Sequence, residues 1–271
     1  SGIWTFGHRF GIDPKTLPVT LVETMLEAVG PRRTLLLPAY TYAYSGTRRF
    51  SPAGTPPEPG VLPETVFRKF EWVRTQSAFN SFFACGPQAA QLAAIRGATI
   101  WGDGSLKAHF EQAHARMMVL GVPWKDACGF LHRIEETCMV PWRYFKTFPG
   151  VWEDDRGETP WVESIYVHSR TLMPNCQWDL PDKLLRSRGG IHASLGEILI
   201  ESADAGALID SGRELLVDDP YRLVINVDEV RHWVEHDKAR EIDEMRRADP
   251  RTTLYLDALD KRTAAGATAR P

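Results

Sequence analysis

RMMVLGVPWKDACGFLHRIEETCMVP, residues 116–141, is the stretch from which the fold is read. Its opening, Arg116 to Gly121, is a short apolar run ended by glycine, as in a strand covered on both faces. From Asp126 to Met139 the apolar residues fall at helical spacing, and Pro141 stops the helix. A buried strand feeding a helix is the repeating unit of sheet proteins with helices on their faces. Upstream, Thr20 and Glu23 have capping-box spacing, Leu21, Val22, Met25, Leu26 and Val29 form one apolar face, and Gly30-Pro31 ends that helix. Thr34 to Leu37 reads as a buried strand, Tyr40 to Gly60 as a long irregular loop, and Pro63 to about Glu71 as a helix. Ser81 to Cys85 reads as a strand, and Pro87 opens a helix through Ala94 that Gly97 ends. Downstream, strands are expected around Ile165–Thr171 and Glu197–Ser202, with a helix over Asp182–Arg188 between them.

The expected architecture is a single large α/β domain with a mixed central sheet flanked by helices and a charged C-terminal helix. Residues 1–226 form the main domain, while Val227 to Arg247 reads as a solvated amphipathic helix with a frayed Ala/Gly/Thr tail after Lys261. A helix this near the first residue implies a strand upstream of Ser1, because such helices usually follow one.

The 271 residues can bury a large core, and a net charge of −3 gives no electrostatic reason to expect nucleic acid or an anionic membrane as partner. No apolar run approaches the roughly 18 residues that span a bilayer, and residues 1–9 lack a secretory signal. Four cysteines without a CxxC pair fit a reducing, cytoplasmic setting. A homo-oligomer is compatible with all of this.

The densest cluster of reactive side chains lies on the Asp126–Met139 helix. His132 and Glu135 are three residues apart and share a face. A carboxylate beside an imidazole fixes its tautomer and stabilises its protonated form, which equips it as a general base. The same spacing also fits an exposed pair without a role. Cys128, His132, Glu135 and Cys138 share a third of the helix circumference, which admits zinc. Spread over about 15 Å at 1.5 Å per residue, however, the four cannot converge on one ion. Tyr40, Tyr42 and Trp142 are the aromatic residues best placed to stack on a sugar or base.

Several stretches together resemble the aminoglycoside 3-N-acetyltransferase-like (antibiotic N-acetyltransferase) family. Leu120-Gly-Val, Cys128-Gly-Phe-Leu-His132-Arg-Ile-Glu135-Glu136 and Val140-Pro-Trp-Arg143-Tyr-Phe-Lys146 are similar to its strand, catalytic helix and following segment. Ser1-Gly-Ile-Trp-Thr-Phe-Gly7 is similar to its His-Ser loop without the His, and Gly30-Pro31 with Thr34–Tyr42 to its GP and TL-MPT stretches. Arg74–Pro87 and Gly102-Asp-Gly104-Ser105 resemble two further motifs in the family's order, with Ser77-Ala78 replacing a His-Pro pair.

The resemblance implies an acyltransferase that moves acetyl from acetyl-CoA to a primary amine in a ternary complex. His132 is its expected base and Glu135 the residue orienting it. Thr41 is the expected oxyanion donor at the thioester carbonyl. Ser1, Gly2, Thr20 and Ser105 are expected along acetyl-CoA, its phosphates at the Ser1 loop and the start of the Thr20 helix. Tyr40, Tyr42, Glu136 and Trp142 are expected against the substrate. Thr41 and Ser105 read equally as turn residues bonding their own backbone. The acceptor is expected to be an amino sugar, nucleotide-linked or aminoglycoside-like. A polycationic aminoglycoside calls for a strongly acidic pocket, whereas the acidic and basic residues interleaved from Glu136 to Arg170 suit a substrate carrying both an amine and a phosphate, such as a nucleotide-linked amino sugar. Other readings are a zinc-dependent hydrolase built on Cys128, His132 and Glu135, a minor acyl-cysteine route through Cys128, and a catalytically silent binding or scaffold protein.

Overall fold

The computed structural model describes residues 2–123, 129–172, 174, 176–177, 179, 183 and 186–250. In chain order the first elements are α1 (Gly2–Phe10), α2 (Leu17–Val29), β1 (Leu35–Pro38), α3 (Tyr44–Thr47), β2 (Arg49–Phe50), α4 (Val61–Lys69), β3 (Val73–Arg74), β4 (Phe82–Cys85) and α5 (Ala89–Ala93). Next come α6 (Leu106–Gln112), β5 (Arg116–Leu120), α7 (Phe130–Thr137), β6 (Arg143–Asp154) and β7 (Gly157–His168). The last are β8 (Ile191–Leu195), β9 (Ile198–Asp204), α8 (Ala205–Leu216), α9 (Val227–His232), a π-helical turn (Trp233–Asp237) and α10 (Lys238–Ala248).

The fold is a mixed α/β domain, as expected, with its strands divided among three three-stranded sheets. The orders are β1-β4-β3 and β5-β9-β8, both antiparallel, and β2-β6-β7, in which β2 runs parallel to β6. Phe130, Leu131 and Ile134 of α7 share one hydrophobic core with aromatic residues of β6 and β7, with Leu208 and Ile209 of α8, and with Val230, Trp233 and Met245 near the C-terminus. The C-terminal helix therefore packs into the main core, where charge patterning placed it in solvent. Glu241 holds it there. Its carboxylate is 8% exposed and accepts from Tyr144 Oη, Ser169 Oγ, Thr171 Oγ1 and the Arg170 backbone N–H.

Several elements differ from expectation. α2 begins at Leu17, one turn before the Thr20–Glu23 box, with Pro18 in its first turn. The backbone N–H groups of Thr16 and Leu17 donate to the Asp13 carbonyl, so Thr20 lies inside the helix with its own N–H on the Thr16 carbonyl. Pro18 lacks the N–H that a first-turn residue would leave unpaired, which favours this earlier start. Residues 2–10, expected as a loop, are helical. Leu17 packs so closely on Gly7 that a Cβ there would stand 2.8 Å from its Cδ2, and the turn between α1 and α2 uses Gly11 at φ 64. The helix expected over Asp182–Arg188 includes positions outside the described residues, as do residues 251–271.

The largest addition is the hairpin β6–β7, twelve residues a strand, of which only the end near Ile165 was legible. Its first half is covered on both faces, so RYFKTF shows no alternation, and Pro149-Gly150 reads as a break. Gly150 is required there. A Cβ would collide with the Arg48 carbonyl oxygen, which accepts from the Val151 N–H where β2 meets β6. α8 was also missed. Asp204 Oδ1 caps it by accepting from the Ala207 N–H at 2.9 Å, and Gly212 lets it cross α7, where a Cβ would lie 2.5 Å from Ile134 Cδ1.

Candidate active site

α7 brings the expected base and its carboxylate together. His132 Nδ1 lies 2.9 Å from Glu135 Oε2. Arg143, the first residue of β6, places Nη2 2.7 Å from the same Oε2 and 3.0 Å from His132 Nδ1. Its Nη1 donates to the Tyr166 carbonyl at 2.8 Å, fixing the guanidinium to β7. The Trp101 ring lies against the imidazole, centroids 4.6 Å apart. Arg133, on the other side of α7, donates to the Trp101 carbonyl at 2.7 Å and pairs with Glu111, tying α7 to α6 and to the loop carrying Trp101. Glu111 also pairs with Arg213 of α8.

Glu135 is buried and Arg143 nearly so, whereas the His132 side chain keeps 41% of its surface exposed. A carboxylate out of water would ordinarily take up a proton. Here burial is outweighed by the Arg143 charge and the hydrogen bonds from His132 and Arg143, which hold Glu135 well below the usual carboxylate range. The packed surroundings of the imidazole lower its pKa below 6.5 despite the exposed edge, and the charges of Arg143 and Lys107 add to this against the pull of Glu135. The ring is thus neutral at pH 7 and able to accept a proton.

Arg143 and Trp101 were not singled out as site residues. Arg143 showed in the sequence as a basic residue eleven positions after the histidine, within the segment that resembles the family's, and its role depends on the strand turning back over α7. Lys107 was also missed. It is 1% exposed, donates to Asn80 Oδ1 and lies over the Tyr40 ring at 5.4 Å. Its Nζ would be 3.4 Å from a Cβ on Gly129, at the start of α7. With Ser105 and Asn80, Lys107 lines a cleft floored by Val162–Ser164.

The other expected residues divide. Tyr40 is half-buried, its ring edge-on to Phe82 at 5.5 Å, and Tyr42 is 55% exposed, so both keep accessible surface. Trp142 is core, 1% exposed and packed against Tyr221, which withdraws it from substrate. Glu136 is likewise turned inward. Thr99 Oγ1 donates to its Oε1 at 2.5 Å, Gly102 leaves no room beside it, and burial pushes its pKa up to about 7. Thr41 is buried, its hydroxyl oxygen accepting from Arg74 Nη2 at 3.0 Å, which ties it to β3. Ser105 caps α6, its Oγ accepting from the Ala108 N–H at 3.2 Å, which is the local bonding its turn position also predicted.

Of the residues expected to hold the acyl donor, Ser1 lies outside the described residues, Gly2 begins α1, and Thr20 is interior to α2. The interleaved charges from Glu136 to Arg170 do not line one pocket. Glu153 and Glu158, at the far end of the β6–β7 hairpin, bind the exposed Arg49, and Glu163 is buried on the Ala78 N–H, Ser77 Oγ and Trp161 Nε1. Glu135 is occupied by Arg143, Cys128 is outside the described residues, and among the described residues no three His, Cys, Asp or Glu side chains gather to hold an ion. None of the described helices is long and apolar enough to cross a membrane.

A family model described as aminoglycoside 3-N-acetyltransferase matches residues 11–217. An aminoglycoside N(3)-acetyltransferase IV from Salmonella sp. is 27% identical over 205 residues, covering 74% of this chain and 76% of that protein. The crystal structure of apo aminoglycoside acetyltransferase AAC(3)-IVa superposes with TM-score 0.61 at 23% identity, covering 79% of this chain and 83% of that one. The binary structure of AAC-IIIb with CoASH gives TM-score 0.64 at 20% identity, covering 77% and 85%.

Proposed function

The chain belongs to the aminoglycoside 3-N-acetyltransferase family, and on that premise we propose that it transfers the acetyl group of acetyl-CoA to a primary amine of an amino sugar, with His132 as general base. The observation that carries this reading is the triangle of His132, Glu135 and Arg143. A buried carboxylate holds Nδ1 of a neutral, part-exposed imidazole, which makes Nε2 the nitrogen that can take up a proton.

The amine nitrogen attacks the thioester carbonyl carbon and yields its proton to His132 Nε2. The C–S bond then breaks, and the departing thiolate takes that proton back, giving amide and free CoA thiol. Glu135 steadies the imidazolium between the two transfers. Direct transfer of acetyl from thioester to amine needs no acyl carrier. Burial raises the thiols of Cys138 and Cys176, the latter to about 12, which makes those two poor nucleophiles at neutral pH, while Cys128 lies outside the described residues. Tyr40 and Tyr42 offer ring surface to a sugar. An aminoglycoside is the first class of acceptor to test, because AAC(3)-IVa has been solved with a gentamicin and with apramycin. Nucleotide-linked amino sugars form the second.

The test is release of CoA thiol from acetyl-CoA across a panel of both acceptor classes, with mass spectrometry of the products. Acceptor-dependent thiol release with a gain of one acetyl group is expected. Acetyl-CoA binding without acetylation of any amine would refute the transferase reading.

A further inference from the structure

Within the proposed mechanism, the geometry points to Arg143 as the positioning residue that decides which imidazole nitrogen carries the hydrogen, and so whether His132 can act as a base at all. The inference rests on the reading of His132 above and adds a role for a residue that touches neither substrate in that mechanism.

Three atoms meet in a small triangle: His132 Nδ1, Glu135 Oε2 and Arg143 Nη2, with sides of 2.9, 2.7 and 3.0 Å. Two hydrogen patterns compete for it. In the first, Nδ1–H donates to the carboxylate and Nη2–H donates to the same oxygen, leaving a lone pair on Nε2. In the second, Nη2–H donates to Nδ1 and the ring hydrogen moves to Nε2, which can then no longer accept a proton. The second pattern sets the Nδ1 lone pair against a carboxylate lone pair 2.9 Å away, with no hydrogen between them. It is acceptable only if Glu135 is protonated and donates to Nδ1 itself.

The charge state of Glu135 is therefore the switch, and Arg143 controls it. Glu135 is 2% exposed, and a carboxyl so buried is neutral without a cation beside it. Among the described residues, the charged or titratable groups acting on the pair are Arg143 on β6, Lys107 on α6, and the Cys176 thiol, whose pKa Glu135 raises. Of the two cations, it is Arg143 whose guanidinium reaches Oε2, at 2.7 Å. Its hold is rigid because Nη1 is tied to the Tyr166 carbonyl. Removal of the guanidinium should protonate Glu135, turn it from acceptor to donor, and move the ring hydrogen from Nδ1 to Nε2.

The experiment reads the tautomer directly. Nitrogen-15 spectra of histidine-labelled protein at pH 7.5, assigned with His132→Ala, distinguish the two neutral forms by the shifts of Nδ1 and Nε2. Wild type should carry its hydrogen on Nδ1. Arg143→Met should carry it on Nε2 and lose kcat by about 10²-fold or more, the loss expected when general-base help is removed. Arg143→Lys should restore the Nδ1 form in large part. A wild-type ring already protonated on Nε2 would overturn the proposal without any variant, which covers the case of Arg143→Met failing to fold. An Arg143→Met protein that keeps the Nδ1 form and wild-type kcat would overturn it equally. A His132→Ala enzyme with near-normal kcat would instead refute the base assignment, and the tautomer measurement would still report on Arg143.

Discussion

Replacing His132 by alanine separates catalysis from folding more cleanly than any other change in the molecule. The imidazole keeps 41% of its surface exposed and its main apolar contact is one face of Trp101. Truncation should cost about 1 kcal/mol of stability at most, less than full burial of a large side chain would give. Glu135 keeps Arg143 as its partner at 2.7 Å, so no buried charge is orphaned. Catalysis is affected far more. A positioned base contributes about 10²–10⁴-fold, or roughly 3–5 kcal/mol of barrier at about 1.36 kcal/mol per tenfold. Stopped-time measurement of CoA thiol release at saturating acetyl-CoA and acceptor should show kcat lowered by that factor, with acetyl-CoA affinity from calorimetry unchanged. The pH profile adds a sign. Because burial and the charges of Arg143 and Lys107 lower the His132 pKa below 6.5, the wild-type rate should hold at pH 6.5 and fall only as pH drops through that lower value. The stability held by the neutral ring is present above pH 6.5 and is lost in the same direction. The alanine protein should lack this limb. A kcat within about threefold of wild type, far short of the general-base range, or an unchanged acid limb, would remove His132 from the mechanism.

Glu241→Ala strips the shared acceptor from four donors. It should cost about 3 kcal/mol, on the order of 6–12 °C in Tm, read by thermal unfolding. Since the folded-state pKa of Glu241 lies below 4.5, its contribution should be full at neutral pH and fade only as pH falls through that lower value. Gly212→Ala drives a methyl into Ile134 and should cost about 1–3 kcal/mol. Adding Ile134→Ala should recover part of the loss of Gly212→Ala relative to Ile134→Ala alone, measured as a double-mutant cycle. With its thiol pushed up to about 12, Cys176 should resist iodoacetamide at pH 8 in native protein and react on unfolding, as peptide mapping can show. Dialysis against a chelator should leave thiol release unchanged, and loss of activity restored by zinc would revive the hydrolase reading.

Sequence alone determined what is local. Helical spacing put His132 and Glu135 on one face, and three residues of separation are enough to fix a hydrogen bond between them. Short apolar runs marked β1, β4 and β5 within a few residues, as Glu197–Ser202 marked β9, but β5 was read as covered on both faces and instead has no buried residue, with Met118 54% exposed. The capping competence of Ser105 was likewise visible in its turn. What depends on distant chain segments was hidden. The β6–β7 hairpin is stabilised by neighbours on both faces at one end, which erases the alternation by which strands are recognised. Glu136 and Trp142 carry side chains suited to a substrate and face inward because Thr99, Gly102 and Tyr221 are there to receive them. Charges in the C-terminal helix signal solvent, yet Glu241 is buried because Tyr144, Ser169, Arg170 and Thr171 satisfy it. Arg143 belongs to both levels. Sequence supplied a cation eleven residues from the histidine, but only the turn of β6 over α7 brings it within 2.7 Å of Glu135. The carboxylate stays charged out of water because of that contact, which no local pattern encodes.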